Sequence, residues 1–200
     1  RFGDRSLFAG AASDGTALAD ADAILAEVGA AVAGAATSTE VLAAVDTYFN
    51  DPLGFQATAF LGSAINASDV ELDDGETVSF AVRADAPEIR DILSALTVAV
   101  IGAEGGFNGD SAEARLALLG EAGRRTTSAT DQVIMTRGEV GIVEERIDEA
   151  AVRLDAEESL LEQARSSILA RDPFEAALEL SAIETQIQTI FSITGRLSNL

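Results

Sequence analysis

Six apolar residues recur at intervals of seven in this chain: Val133, Val140, Ile147, Leu154, Leu161 and Ile168. The second seam position between them holds Thr136, Val143, Ala150, Glu157 and Ala164, and no proline interrupts the run. A heptad pattern held that long specifies one extended helix, whose apolar stripe is covered only by another helix. Its flanks are mostly charged, with Arg137, Glu139, Glu144, Arg146, Arg153, Glu158 and Arg165 keeping the rest of the surface wet. Such a chain is built to associate, and what remains open is with what.

A second seam follows the first. Leu180, Ile183, Ile187, Ile190, Thr194 and Leu197 alternate in spacings of three and four. Between the seams lies Arg171-Asp172-Pro173-Phe174. Asp172 reads as an N-cap, Pro173 as the first helical residue, and Glu175 as the capping-box partner. Two seams joined across a turn at 171–174 predict an antiparallel helical hairpin, a rod over residues 111–200. Most of the first seam is then satisfied by the second. Val133 and Val140, and the end near Leu197, are left for other partners.

Residues 1–110 read differently. Eight of the ten aromatic residues lie there, and none falls between Phe107 and Phe174. The predicted architecture is mainly α, with a small α+β domain over 1–110 in front of the rod. Helical spacing runs from Leu18 to Val32. Thr37 with Glu40 forms a capping box that opens a second helix, stopped by Asp51-Pro52-Leu53-Gly54. Residues 55–61 alternate like a strand, as do 70–72 and 77–83, with Asp74-Gly75 as a hairpin turn. Asp85 with Glu88 predicts a helix to about Ile101, and Asp110 with Glu113 another running to about Ala170. Gly120 and Gly123 predict a bend or break, since each glycine in a helix costs about 1 kcal/mol against alanine.

Charge narrows the function. The net charge is -21, with no Lys and no His, so all thirteen cations are Arg. Residues 1–110 carry 18 acids and 4 Arg, and residues 111–200 carry 16 acids and 9 Arg. An acidic surface of this kind repels nucleic acid and anionic lipid, and suits a salty medium where repulsion is screened. Without Cys there is neither a disulfide framework nor thiol chemistry. The longest apolar run, Ile92 to Ala103, falls well short of the ~20 residues of a membrane-spanning helix. The chain begins at Arg1 with no secretory signal and reaches Leu200 without a helix cap, so both ends are expected to continue in a parent protein. The fragment by itself is then expected to be a monomer or weak oligomer.

Carboxylates are abundant, so an acid pair, Asp73-Asp74 included, is the enzyme hypothesis to weigh. With neither His nor Cys, the usual zinc sites and nucleophile–base pairs are excluded. Glu144-Glu145 and Glu157-Glu158 point about 100° apart on a helix and read as solvated faces, not as an acid pair. Asp69, Glu71 and Asp73 alternate like calcium-loop ligands, but Asp74 stands where the loop needs glycine, and Phe80 where it needs a bidentate Glu. The glycine-rich loop at 105–109 follows no strand and lacks a phosphate-binding Lys. Tyr48 reads as a packing residue. No cofactor, no metal and no enzymatic role are expected.

Several segments resemble the flagellin superfamily. The opening RFGDRSLFAGAASD is similar to the segment after that family's first long helix, which ends in a run matched here by Leu7, Phe8, Ala9 and Gly10. Arg137, Gly141, Glu144, Arg146 and Ile147 fit its C-terminal Arg…Gly…Glu-x-Arg-Ile-like pattern. Asp172, Phe174, Glu175 and Ala176 fit its Asp-x-x-Glu-Ala turn, and Gln186 sits in the helix that follows. The resemblance covers residues 1–10 and about 130–200. Within the superfamily the compact middle and the small hairpin are most similar to the hook-associated (FlgL-type) proteins of the hook–filament junction, with flagellin proper as the competitor. The resemblance implies a secreted structural subunit, exported through the flagellar type III apparatus without a cleaved signal. Its partners would be copies of itself, a neighbouring hook-associated protein, flagellin and an export chaperone, with no nucleic acid and no membrane. A cytoplasmic coiled-coil adapter is the rival reading from the pattern alone.

Overall fold

The computed structural model describes residues 5–73, 75–79, 82–169 and 173–197. Their elements run α1 (Ala21–Val32), α2 (Ser38–Asn50), α3 (Phe55–Thr58), β1 (Val70–Asp73), β2 (Glu76–Val78), α4 (Pro87–Glu104), α5 (Ala112–Leu169) and α6 (Pro173–Leu197). The class is the expected one, mainly α with a small antiparallel hairpin. Contacts divide the chain into two compact units, one reaching Ile147 and the other starting at Asp148, with α5 contributing to both.

The core of the first unit follows from helical spacing. Ile24, Val28 and Val32 line one face of α1, and Val41, Val45, Tyr48 and Phe49 line one face of α2. They close on Phe55, on Val98 and Ile101 of α4, and on Leu118 and Ala122 of α5. Each large aliphatic or aromatic side chain so buried contributes about 1.5–3 kcal/mol. The rings of Tyr48 and Phe49 meet edge-on at 5.2 Å, and Phe49 lies 5.3 Å from Phe55. The Tyr48 hydroxyl is 3.0 Å from the Thr58 hydroxyl, so its polar end is satisfied and the residue serves packing.

The Leu7–Gly10 run is a backbone strap across this core. The Phe8 carbonyl accepts from Ala84 N, the Ala9 carbonyl accepts from Ser63 N, and Ala11 N donates to the Ile65 carbonyl, each at 2.9 Å. Ala9 is fully buried. Gly10 has φ +60°, and a Cβ there would lie 2.5 Å from the carbonyl oxygens of both Ser63 and Ile65. Only glycine meets both demands.

The Thr37 hydroxyl accepts from Glu40 N at 3.2 Å, while the Glu40 carboxylate accepts from Ala36 N at 2.7 Å, one residue further back than a standard box. The hairpin pairs Val70 with Val78 and Glu71 with Thr77, with a bulge before Asp73. Gly75 sits in its turn at φ +87°, and Asp74 lies outside the described residues. The second strand ends at Val78, earlier than expected.

Four expectations need correction. Residues 55–58 form a helical turn, not a strand, because Gly54 and Phe55 carbonyls accept from Thr58, Ala59 and Phe60 amides. Only Phe60 pairs in β fashion, with Leu18. Asp85 does not cap α4, because Arg83 claims its carboxylate at 2.7 and 3.1 Å; Pro87 opens the helix uncapped. Ser111, not Asp110, caps α5, its hydroxyl accepting from Ala114 N at 3.2 Å. Helix α5 also runs unbroken through Gly120 and Gly123. The packing of Leu118 and Ala122 on either side of Gly120 outweighs the glycine penalty.

In the second unit the distal part of α5 and the whole of α6 are helical, as the two seams predict. Their seams, however, stand largely open, although Ala150 is buried. A hairpin closed on itself would bury Leu161, Ile168, Leu180 and Ile190, which are between 60% and 82% exposed. Val133 and Val140, expected to be free for partners, are instead half-buried within the first unit.

Candidate assembly surface

The predicted packing residues fall into two groups. Val133 and Val140 line an apolar hollow of about 390 Å³ together with Phe8, Val82, Ile89 and Thr136, rimmed by Glu88, Arg137 and Glu144. This part of the seam faces the strap and the start of α4. The remainder, Ile147, Leu154, Leu161 and Ile168, is exposed, increasingly so toward the end of α5. Leu180, Ile183, Ile187 and Ile190 on α6 are exposed as well. Leu197 holds the last position of α6, and its side chain lies outside the described residues, as does Asp172. Pro173 opens α6, and Glu175 stands in its first turn, where a carboxylate favours the positive helix terminus.

Polar residues on this surface are disarmed by local chemistry. Thr194 donates its hydroxyl to the Ile190 carbonyl at 2.8 Å, and Thr136 donates to the Gln132 carbonyl at 3.2 Å. Thr185 and Thr189 do the same one turn back. With the hydroxyl returned to its own helix, threonine presents a methyl outward and fits an apolar seam.

The surface is wider than the two seams. Phe174, Leu178, Phe191 and Ile193 on α6 are more than half exposed, as are Val152 and Leu160 on α5. Spacing by threes and fours singled out one row of contacts and passed over these neighbours. Their signal was apolar identity alone.

Ion pairs concentrate on the inner part of α5. Arg125 donates to both Asp46 oxygens and to Glu121, and its own pKa is raised, chiefly by the hydrogen bond to Asp46. Glu121 receives Arg125 and Arg124 together, which holds its carboxyl below the usual range. These groups tie α5 to α2. Among the described residues no three potential ligands are grouped to hold a metal ion, and no helix is long and apolar enough to cross a membrane.

The open helices coincide with a known protein region. Residues 119–200 match the bacterial flagellin C-terminal helical region. The match supports the flagellin superfamily as the source of the resemblance, and it takes in most of α5 and all of α6. No curated protein and no solved structure matches the chain significantly. The flagellin-like region thus contains every exposed seam residue, together with Val133 and Val140.

Proposed function

We propose that this chain is a structural, non-catalytic subunit of the bacterial flagellum that joins hook to filament by helical self-assembly. The observation that carries this reading is the coincidence of the flagellin-like region with two helices whose large apolar seam residues are exposed from Ile147 onward. Exposed leucine and isoleucine stripes of that length are stable surfaces only when neighbouring helices cover them. Residues 111–200 act as the rod, and residues 1–110 as a small domain turned to solvent, in keeping with their greater acidity; the turn expected at 171–174 falls largely outside the described residues. The partners are further copies of the chain, the adjoining hook-associated protein, flagellin and an export chaperone. The working location is extracellular, reached through the flagellar export apparatus.

The junction role rests on the compact middle and its small β-hairpin. The match to a flagellin region favours a second reading, a subunit of the filament itself. Immunolabelling of the protein on intact cells separates them. A band at the hook–filament boundary is the expected result. Label along the whole filament assigns the chain to the filament, and label confined to the cytoplasm overturns both.

A further inference from the structure

We propose that a polar hollow between α2, α4 and α5 binds a small organic cation with an ammonium head. The hollow measures about 260 Å³. Asp46 and Asn50 line it from the end of α2, Asp91 and Ser94 from α4, and Arg125, Ser128 and Gln132 from α5. It lies wholly within the first unit and does not depend on the subunit reading. Ser94 is the residue that points to a ligand. It is only 6% exposed, yet its hydroxyl makes no hydrogen bond among the described residues, and it borders the hollow. A hydroxyl on so covered a residue normally has a partner. A helical hydroxyl can return to the carbonyl one turn back, as Thr47 does to Ala43 at 2.8 Å; Ser94 does not.

The groups left over set the chemistry of the ligand. Arg125 is engaged by Asp46 and Glu121. The Asn50 amide nitrogen donates to the Asp46 carbonyl at 2.9 Å, which leaves its Oδ1 as an acceptor. Asp91 is exposed, and no hydrogen bond or ion pair engages it among the described residues. What remains is one carboxylate, the Asn50 oxygen, two serine hydroxyls and the Gln132 amide, a set in which acceptor sites outnumber donors. The lining carries two carboxylates against one guanidinium, so an anion is repelled. Arg90, one turn before Ser94, does not line the hollow; its Nη1 donates to the Phe49 carbonyl at 2.8 Å. A neutral polyol would leave the Asp91 charge unanswered. An ammonium brings positive charge and three donors with no acceptor, which is the complement of this set.

The test titrates the full chain with ethanolammonium at fixed ionic strength and follows backbone amide shifts by NMR. Ethylene glycol, in which a hydroxyl replaces the ammonium, is the uncharged comparison. Saturating shifts are expected around Asp91, Ser94, Ser128 and Gln132, with a dissociation constant in the millimolar range and little response to the glycol. Asp91→Asn should weaken binding about tenfold, and Ser94→Ala roughly threefold. Asp91 is exposed, so its variant keeps the fold, and melting of each free variant verifies this. Equal affinity for the glycol overturns the cationic assignment. Shifts that climb without saturating, or that Asp91→Asn leaves unmoved, mean diffuse counterion attraction and overturn the site. Absence of any shift at these residues overturns it as well.

Discussion

Arg125 and Asp46 stand 79 residues apart and meet as a fork against a carboxylate, with Nη1 and Nη2 donating to Oδ1 and Oδ2 at 2.5 and 3.0 Å. Two parallel hydrogen bonds fix the angle as well as the distance between α2 and α5. Arg125 is mostly covered, whereas Asp46 is nearly half exposed, so the pair is worth more than a surface contact and less than a buried one. Arg125→Ala is expected to destabilise the first unit by about 1–2 kcal/mol. Arg125→Lys, which keeps the charge but not the fork, should recover part of this. Urea unfolding followed by circular dichroism measures both.

Glu121 links stability to pH. Its folded-state pKa lies below the ordinary value of 4.5, first because Arg125 and then because Arg124 hydrogen-bonds the ionised form. The stabilisation is therefore fully present above the unfolded pKa, and is lost as pH falls through the lowered folded value. Glu121→Gln should cost stability at pH 7, and the gap from the parent chain should close below about pH 4. A constant gap in urea midpoint from pH 7 down to the acid transition would contradict this assignment.

Two glycines should answer an alanine scan with opposite signs. Gly10→Ala places a methyl against the Ser63 and Ile65 carbonyls at positive φ, and is expected to cost about 1–3 kcal/mol. At Gly138 an added Cβ meets nothing within 4 Å on a regular helix. Gly138→Ala should stabilise the chain by up to about 1 kcal/mol. Melting temperatures of the two variants, measured side by side, test the pair.

The exposed seam predicts a separation of folding from assembly. Leu161→Ser and Ile187→Ser remove apolar surface that the folded chain leaves uncovered. Unfolding of the first unit should shift by no more than about 0.5 kcal/mol. Polymerisation of the full-length protein carrying either change should fall sharply in sedimentation assays. Loss of the first unit's fold in these variants would mean that the seam serves the chain's own core.

Helices were legible where periodicity was long, and less so where a neighbour decided the outcome. The heptads fixed α5 and α6 because many turns repeat the same message. Phe55-Gln56-Ala57-Thr58 alternates as a strand does, yet four residues cannot distinguish a strand from one helical turn, and burial of Phe55 against Phe49 decided it. Asp85 carried a sound capping signal, but Arg83, two residues away, offered a stronger partner. The covering of each seam was harder still. Apolar spacing says that a stripe needs a partner, and it is the same whether that partner is the strap of the first unit, a second helix or another copy.

The strap at Leu7–Gly10 has a consequence for the order of folding. Its hydrogen bonds join positions more than fifty residues apart, whereas α1, α2 and α4 form from contacts within their own turns. Distant pairings must first meet the entropy of closing a long loop. The strap is therefore a late latch. Until residues 8–11 find Ser63, Ile65 and Ala84, the helices of the first unit are expected to gather without locking.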